Sequence, residues 1–249
     1  MASIRDAIEE SVIEGGLAYT KYFIMGGLFY TCADMFLKNK GHLSGLFWIV
    51  AIATFILVLG FSLIVTQNVK NNSNKVLPSF NIFALLWQGL KGFVAIGPIV
   101  LVNMFLAKLT ANFIVKFFMN VGLVSKGVII AIDICVCAVF LSFMLTAYLL
   151  YANRFKVIDA YNIKLITKYC IDIIFAIFFF IPKLAFADLI IVGGVTYIFW
   201  LLFGIPNPIC TYFWCVAFAW NLAVSAGYLA QVNYETIDYQ ENQSKENSY

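Results

Sequence analysis

The sequence predicts an all-α fold: a polytopic transmembrane bundle of about six spanning helices, with interfacial amphipathic helices beside it. First, 63% of the 249 residues are hydrophobic and 12% are charged, whereas soluble domains average about 45–50% apolar and 25% charged residues. Second, the apolar stretches are long and continuous. Third, only helices and closed barrels pair every backbone group in lipid, and barrel strands would alternate over about ten residues.

The apolar excess needs lipid as its solvent, because one core of this size cannot hide it and large exposed apolar patches aggregate. Leu43 to Val69 has no charged residue, and Gly127 to Ala152 has only Asp133. Both stretches exceed the roughly 20 residues of a spanning helix. The net charge of +3 is too small to indicate nucleic acid, so the expected partner is the lipid bilayer.

The first half of the chain is divided by short polar segments. Residues 1–17 have apolar side chains at helical spacing, which predicts an amphipathic helix on the membrane surface or capping the bundle. The first four spans are predicted at Ala18–Leu37, Leu43–Thr66, Phe83–Ala107 and Gly127–Tyr151. Pro98 is expected to kink the third span, and residues 108–126 to form an interfacial helix and turn.

The second half begins with an amphipathic segment, residues 153–168, and the fifth span follows at Tyr169–Val192. We expect Pro182–Lys183 to break that span and Gly193–Pro208 to form an apolar loop or partial helix. The sixth span is predicted at Ile209–Ala230. If Pro182 ends the fifth span completely, residues 184–203 become a separate span and the count is seven.

The domain prediction is a single membrane domain over residues 1–230 and a polar, disordered tail over 231–249. Six spans place both termini on one side, and the basic residues favour the cytoplasm for that side, nine against five. The nine are Arg5, Lys21, Lys70, Lys75, Arg154, Lys156, Lys164, Lys168 and Lys245. The five are Lys38, Lys40, Lys108, Lys116 and Lys126.

Charged residues inside spans are the main candidates for a functional site, because each costs about 2.5–3.5 kcal/mol at mid-span. The candidates are Lys91, Asp133, Asp172, Lys183 and Asp188. Lys91, Asp133 and Asp172 lie near span ends, where an interfacial position explains them equally well. Asp34, near the end of the first span, has the same explanation.

Lys183 lies deeper in its predicted span. Asp172 precedes it by eleven residues, about 16 Å of helix, and Asp188 lies about 140° round the helix, so a partner on another helix such as Asp133 is needed. A structural ion pair, a substrate or proton site, and a helix that ends at Pro182 near the surface remain open.

Small residues recur every four positions in two spans, which lets helix backbones approach closely in lipid. They are Ala219, Ala223 and Gly227 in the sixth span, and Ala138, Ser142 and Thr146 in the fourth. Packing within the bundle is the first interpretation. A homo-oligomer seam is the alternative.

Enzyme signatures are absent from the sequence. His42 is the only histidine, the six cysteines do not have zinc-site spacing, and no phosphate-binding glycine loop occurs. We therefore expect no catalytic residues, no metal and no cofactor.

Two further motifs are similar to those of a known family. The first combines Leu77–Pro78, Gly89–Leu90–Lys91 after an aromatic residue, and Pro98 within the span. The second is Gly227–Tyr228–Leu229–Ala230–Gln231 at the end of the last span. Together they resemble a domain-of-unknown-function family of prokaryotic integral membrane proteins, over about residues 77–231. The resemblance implies a compact bundle in the inner membrane and no particular activity.

Two functions are compatible with these features. The first is a non-enzymatic membrane component that binds or organises lipid, a membrane-protein partner or a second copy of itself. The alternative is a small-solute or ion permease or channel, with a mid-membrane site near Pro98, Pro182 and Lys183. A polar cavity at mid-membrane favours the permease, whereas a dry, packed bundle favours the first function.

Overall fold

The computed structural model describes residues 3–13, 15–38, 45–71, 76–79, 81–120, 125–204 and 207–233, together with 235 and 237. Within this part of the chain there are eight helices and no strand, which confirms the all-α prediction. The helices are α1 (Ile4–Val12), α2 (Gly16–Lys38), α3 (Gly45–Lys70), α4 (Ile82–Asn120), α5 (Lys126–Arg154), α6 (Val157–Ala160), α7 (Ile163–Phe203) and α8 (Pro208–Asn233).

Five of the described helices, α3, α4, α5, α7 and α8, are long and apolar enough to cross a membrane. The multi-pass helical fold is therefore confirmed by length and composition. The predicted first span corresponds to α2, which has 23 residues or about 34 Å of helix. Lys21 and Asp34 reduce its apolar character, and its crossing stays a prediction.

The prediction of a separate interfacial helix after the third span is wrong. α4 continues without a break through Pro98 to Asn120, a total of 39 residues. A helix that leaves the hydrocarbon keeps gaining one backbone hydrogen bond per added residue. Residues 108–120 therefore extend the same helix, and residues 121–124 lie outside the described part.

The predicted break at Pro182–Lys183 is also wrong, because α7 is one helix of 41 residues. Residues 193–203, predicted as a loop or partial helix, form its last turns. The seven-span alternative fails with the break. Proline removes only one donor from the helix, whereas ending a helix in an apolar medium exposes several backbone groups that need partners.

The chain divides into two compact units, residues 1–91 with 178–249 and residues 92–177. α8 ends at Asn233, three residues past the predicted limit of the membrane domain. Residues 238–249 of the predicted tail and His42 lie outside the described residues, so the predicted domain division stays a prediction.

The core of the first unit consists of side chains from α2, α3 and α8, joined by Val76 and Leu77 from the segment before α4 and by Leu85 from its first turn. The buried members from the first three helices are Ala18, Tyr22, Met25, Phe61, Val65, Ala219, Ala223 and Ala226. Most side chains that α8 contributes are small, so the neighbouring helices approach it closely.

Glycines provide close helix contacts elsewhere in this unit. A Cβ on Gly60 of α3 would overlap the Leu85 carbonyl of α4, and a Cβ on Gly89 would overlap the Ile56 carbonyl. Each glycine therefore lies against the backbone of the other helix, and together they form one close contact between α3 and α4. Gly26 of α2 similarly lies against Val216 of α8, whose backbone would be 2.8 Å from an added Cβ.

The predicted N-terminal amphipathic helix is present as α1, which begins after the N-cap Ser3. Ser3 N donates to Gln231 Oε1 at 2.9 Å, Ala7 lies against Gly227, and Trp220 Nε1 donates to Ser11 Oγ at 3.0 Å. The residue numbers of the α8 partners decrease as those of the α1 residues increase. Helix α1 thus packs lengthwise and antiparallel along the second half of α8.

The second unit contains α4 from residue 92, α5, α6 and α7 to residue 177. The predicted amphipathic segment 153–168 comprises the end of α5, the short α6 and the start of α7. Phe155 ends α5 in the left-handed region, with φ of 51°, and its N–H donates to the Tyr151 carbonyl. Asn162 then caps α7, because its Oδ1 accepts from Leu165 N at 3.2 Å.

Candidate functional site: a cavity lined by α7 and α8

A polar residue lies midway along α8. Asn221 is 13 residues from Pro208 and 12 from Asn233, so it is about 18–20 Å from either end of the helix. The hydrocarbon core of a bilayer is about 30 Å thick. In a membrane-crossing α8, Asn221 is therefore close to the centre of the bilayer.

Asp188 of α7 is hydrogen-bonded to Asn221. The Asn221 Nδ2 group donates to both carboxylate oxygens, at 3.0 Å to Oδ1 and 2.9 Å to Oδ2. A carboxylate offers only acceptors, so the amide presents its donor side to it. Asn221 Oδ1 is buried and has no donor among the described residues. An amide orients Asp188 but supplies no positive charge.

A second polar pair lies two helical turns away. Trp214 Nε1 donates to Thr196 Oγ1 at 2.8 Å, and that hydroxyl donates to the Val192 carbonyl at 2.6 Å. Thr196 follows Asp188 by eight residues, whereas Trp214 precedes Asn221 by seven. The two pairs therefore set an antiparallel register between α7 and α8 and lie about 11–12 Å apart along them.

Both pairs line one cavity of about 470 Å³ within the first unit. Gly193, Phe218 and Leu189 supply much of the apolar wall between them. Ligand cavities in proteins typically have volumes of about 300–1,000 Å³ and a few convergent polar groups among apolar walls. The arrangement can hold a small molecule with a cationic or hydrogen-bond-donating group at Asp188 and an apolar remainder beside Gly193.

The structure brings only one of the five predicted charged candidates into this cavity. Asp188 lines it, whereas Lys183 and Pro182 are exposed and are not among its described lining residues. Pro98 lines a different cavity, which lies in the second unit. The site predicted near the two prolines and Lys183 stays a prediction, and the structure adds a candidate site centred on Asp188 and Asn221.

The other charged candidates are exposed. Lys91 has its Nζ 5.0 Å from the centroid of the Trp87 ring, one turn earlier on α4. Asp133 and Asp172 are exposed on α5 and α7. Asp133 and Lys183 belong to different units, and their pairing stays a prediction. Asp34 pairs with Lys38 on α2, at 2.7 Å.

The small-residue ladders differ between the two helices. Ala219 and Ala223 are each 2% exposed in the core of the first unit, and Gly227 lies against α1. In α5, Ser142 is buried and its hydroxyl donates to the Val139 carbonyl at 2.6 Å. Ala138, one turn earlier, is exposed.

Sequence reasoning missed Asn221, Thr196 and Trp214 because it searched the spans for charges only. A neutral amide at mid-span is a usable signal, since a polar group in hydrocarbon needs a partner. The choice of partner depends on the α7–α8 register, which the sequence does not contain.

Comparison with known proteins gives no relative: no family model, no curated protein and no solved structure matches the chain. The resemblance to the domain-of-unknown-function family stays a prediction.

Proposed function

We propose that the protein is a small-solute permease whose mid-membrane site, at Asp188 and Asn221, takes a small organic cation. The observation that carries the proposal is the Asp188 carboxylate, which lines a cavity of about 470 Å³ and, among the described residues, has an amide and no cation as its hydrogen-bonding partner. Charged groups inside a membrane are costly and most often serve ions, protons or substrates.

The cavity walls favour a solute with an apolar body. A neighbouring cavity of about 380 Å³ shares the lining residues Val192 and Ala217 with the first. Its wall includes the aromatic rings of Tyr22, Phe213 and Trp220. Aromatic faces stabilise cations as well as apolar groups, so an ammonium or guanidinium carrying a hydrocarbon group suits these surroundings better than a bare metal ion.

A second function is supported by the same carboxylate. In a non-enzymatic component that organises partners, a cationic side chain from a partner helix or from a second copy would occupy the cavity. The mid-membrane carboxylate then acts as an assembly contact instead of a transport site. Either function is proposed for a multi-pass protein of the prokaryotic inner membrane with both termini in the cytoplasm.

Uptake into proteoliposomes tests the proposal. Purified wild-type protein is reconstituted, and currents on solid-supported membranes are recorded for ethylammonium, phenethylammonium, guanidinium and choline. At least one cation should give a saturable current, and Asp188→Asn should reduce it by at least about tenfold, equivalent to 1.4 kcal/mol. The variant keeps the side-chain shape and removes the charge.

A matched pair of glycine variants tests the cavity itself. Gly193→Leu puts a side chain into the cavity. Gly194→Leu adds the same side chain at a position that is not among the described lining residues and where no atom lies within 4 Å of an added Cβ. Transport should fail in Gly193→Leu and persist in Gly194→Leu.

Absence of current for all four cations contradicts the permease. Loss of a co-purified partner or of self-association in Asp188→Asn would then favour the organising function.

A further inference from the structure

The second unit contains a separate apolar groove of about 350 Å³. Its walls come from α4, α5, the turn after α6 and the start of α7, and include Pro98, Val102, Phe143, Ile163 and Ile166. Asn103 also lines it, but its amide donates to the Ile99 carbonyl at 2.9 Å. The groove therefore offers mainly hydrocarbon contacts.

A basic segment supplies part of the groove wall. Ala160 and Tyr161, which line the groove, belong to a stretch with four cations and a single acid, Asp159. The cations are Arg154, Lys156, Lys164 and Lys168. Lys156 is the N-cap of α6 and Lys164 is the second residue of α7, so they flank the two groove residues in sequence. Both lysines are exposed.

The start of α7 adds to the positive charge of this segment. Asn162 Oδ1 satisfies the Leu165 N–H, while the other N–H groups of a first helical turn have no partner within the helix. A helix N-terminus favours anions through these groups and its dipole. Tyr161 beside it has the amphipathic ring that is enriched at the headgroup level of membranes.

From this combination we propose that the groove is a binding site for an anionic phospholipid. One acyl chain lies along Pro98, Val102 and Phe143, and the phosphate lies between Lys156 and Lys164 at the start of α7. A neutral lipid offers no anionic group to Lys156 and Lys164, and a soluble phosphate leaves the hydrocarbon walls empty. The apolar walls and the basic segment together identify the ligand class.

Lipid titration of the full-length protein in detergent, followed by native mass spectrometry, tests the proposal. The probes are dioleoyl phosphatidylglycerol and dioleoyl phosphatidylcholine, which differ only in the headgroup. Wild type should bind phosphatidylglycerol more tightly by roughly thirtyfold, as expected for two lysines near the phosphate. The double variant Lys156→Gln with Lys164→Gln should bind both lipids equally. Lys108→Gln with Lys116→Gln, which removes the same charge from α4, should keep the preference.

A second pair of variants tests the apolar part. Val102→Trp fills the groove and should weaken binding of both lipids at least tenfold. Leu101→Trp adds the same ring to the neighbouring residue, which is exposed and not among the described groove residues, and should have no effect. Equal binding of the two lipids by wild type overturns the proposal. So does equal loss in both double lysine variants, or wild-type binding by Val102→Trp.

Discussion

A carboxylate between two apolar helices needs hydrogen-bond donors, and among the described residues Asp188 has the amide of Asn221 as its donor. Asn221 donates to both oxygens, which orients the carboxylate without neutralising it. A lysine or arginine at position 221 would form an internal ion pair and leave little charge for a ligand. The pairing of Asp with Asn is therefore better suited to binding than to stability.

The hydrogen bonds of Asn221 are expected to stabilise the fold measurably. Asn221→Leu leaves the Asp188 carboxylate without its donor and should lower the free energy of unfolding by about 1–3 kcal/mol. Adding Asp188→Leu should restore most of the loss, because replacing both partners by apolar groups leaves neither of them as a polar group without a hydrogen bond. Melting in detergent measures the cycle. Asn112→Leu, at an exposed position on α4, is the control, and strictly additive effects would contradict the pairing.

Glu10 provides a pH-dependent prediction outside the spanning helices. Burial is the main cause that raises the pKa of Glu10 above its ordinary value of 4.5; the hydrogen bond from Gln231 lowers it in part, and Asp6 raises it further. The folded state thus holds this proton more tightly than the unfolded state. The stabilisation is complete below pH 4.5 and is lost as the pH rises through the folded value.

Glu10→Gln is therefore expected to raise the melting temperature at pH 8 by about 1–3 °C and to leave it unchanged near pH 4. The added amide also keeps a hydrogen-bonding group opposite Gln231. Glu9→Gln is the matched control, because Glu9 is exposed and pairs with Arg5 at 2.8 Å on the helix surface, where such pairs contribute little. A gain that does not vary with pH would exclude the titration of Glu10 as its cause.

At the scale of elements, α8 is the helix on which the first unit is assembled. Its small residues face α2 and α3 at Ala219, Ala223 and Ala226, and Gly227 faces α1. Its larger polar residue, Asn221, faces α7. One helix thus uses different faces for close packing and for the candidate site.

Ala223→Leu should destabilise the first unit, because the added atoms have no space between α8 and its neighbours. Overpacking of this kind typically costs about 1–3 kcal/mol. Ala138→Leu makes the same change at the exposed position of the α5 ladder and should be nearly neutral. Thermal melting of both variants in one detergent compares them. Equal melting temperatures would mean that the ladder in α8 is not a packing surface.

The continuity of α4 and α7 has a common physical reason. Each contains one proline, Pro98 or Pro182, and each remains helical on both sides of it. In water the freed carbonyl and the neighbouring groups can bond to solvent, so proline often ends a helix. In hydrocarbon no such partner exists, and the surviving helical hydrogen bonds are retained.

For the whole molecule, the number of helices that cross the membrane determines whether the two termini lie on the same side. If α2 crosses the membrane together with the five longer apolar helices, both termini lie on the same side, and the basic residues favour the cytoplasm. Reporter fusions after Asn120 and after Lys156 should then report opposite sides, the second one cytoplasmic. A fusion at the C-terminus should match the Lys156 result. A non-cytoplasmic signal after Lys156 would contradict the assignment.

The sequence alone determined the class of protein. Its apolar fraction exceeds what a single core of this size can hide, and lipid permits only structures with internally paired backbones. The continuous apolar stretches then select helices. The same reasoning failed over residues 108–120 and at Pro182, because local propensity was applied without the solvent in which the helix lies.

The tertiary structure decided which residues meet. Asp188 and Asn221 are 33 positions apart, and only the antiparallel register of α7 and α8 places the amide opposite the carboxylate. A shift of one residue would rotate each side chain by about 100° and separate them. That register depends on contacts between side chains of the two helices, among them the hydrogen bond from Trp214 to Thr196. No single residue encodes it, which is why the sequence identified the charged residue and the structure identified its partner.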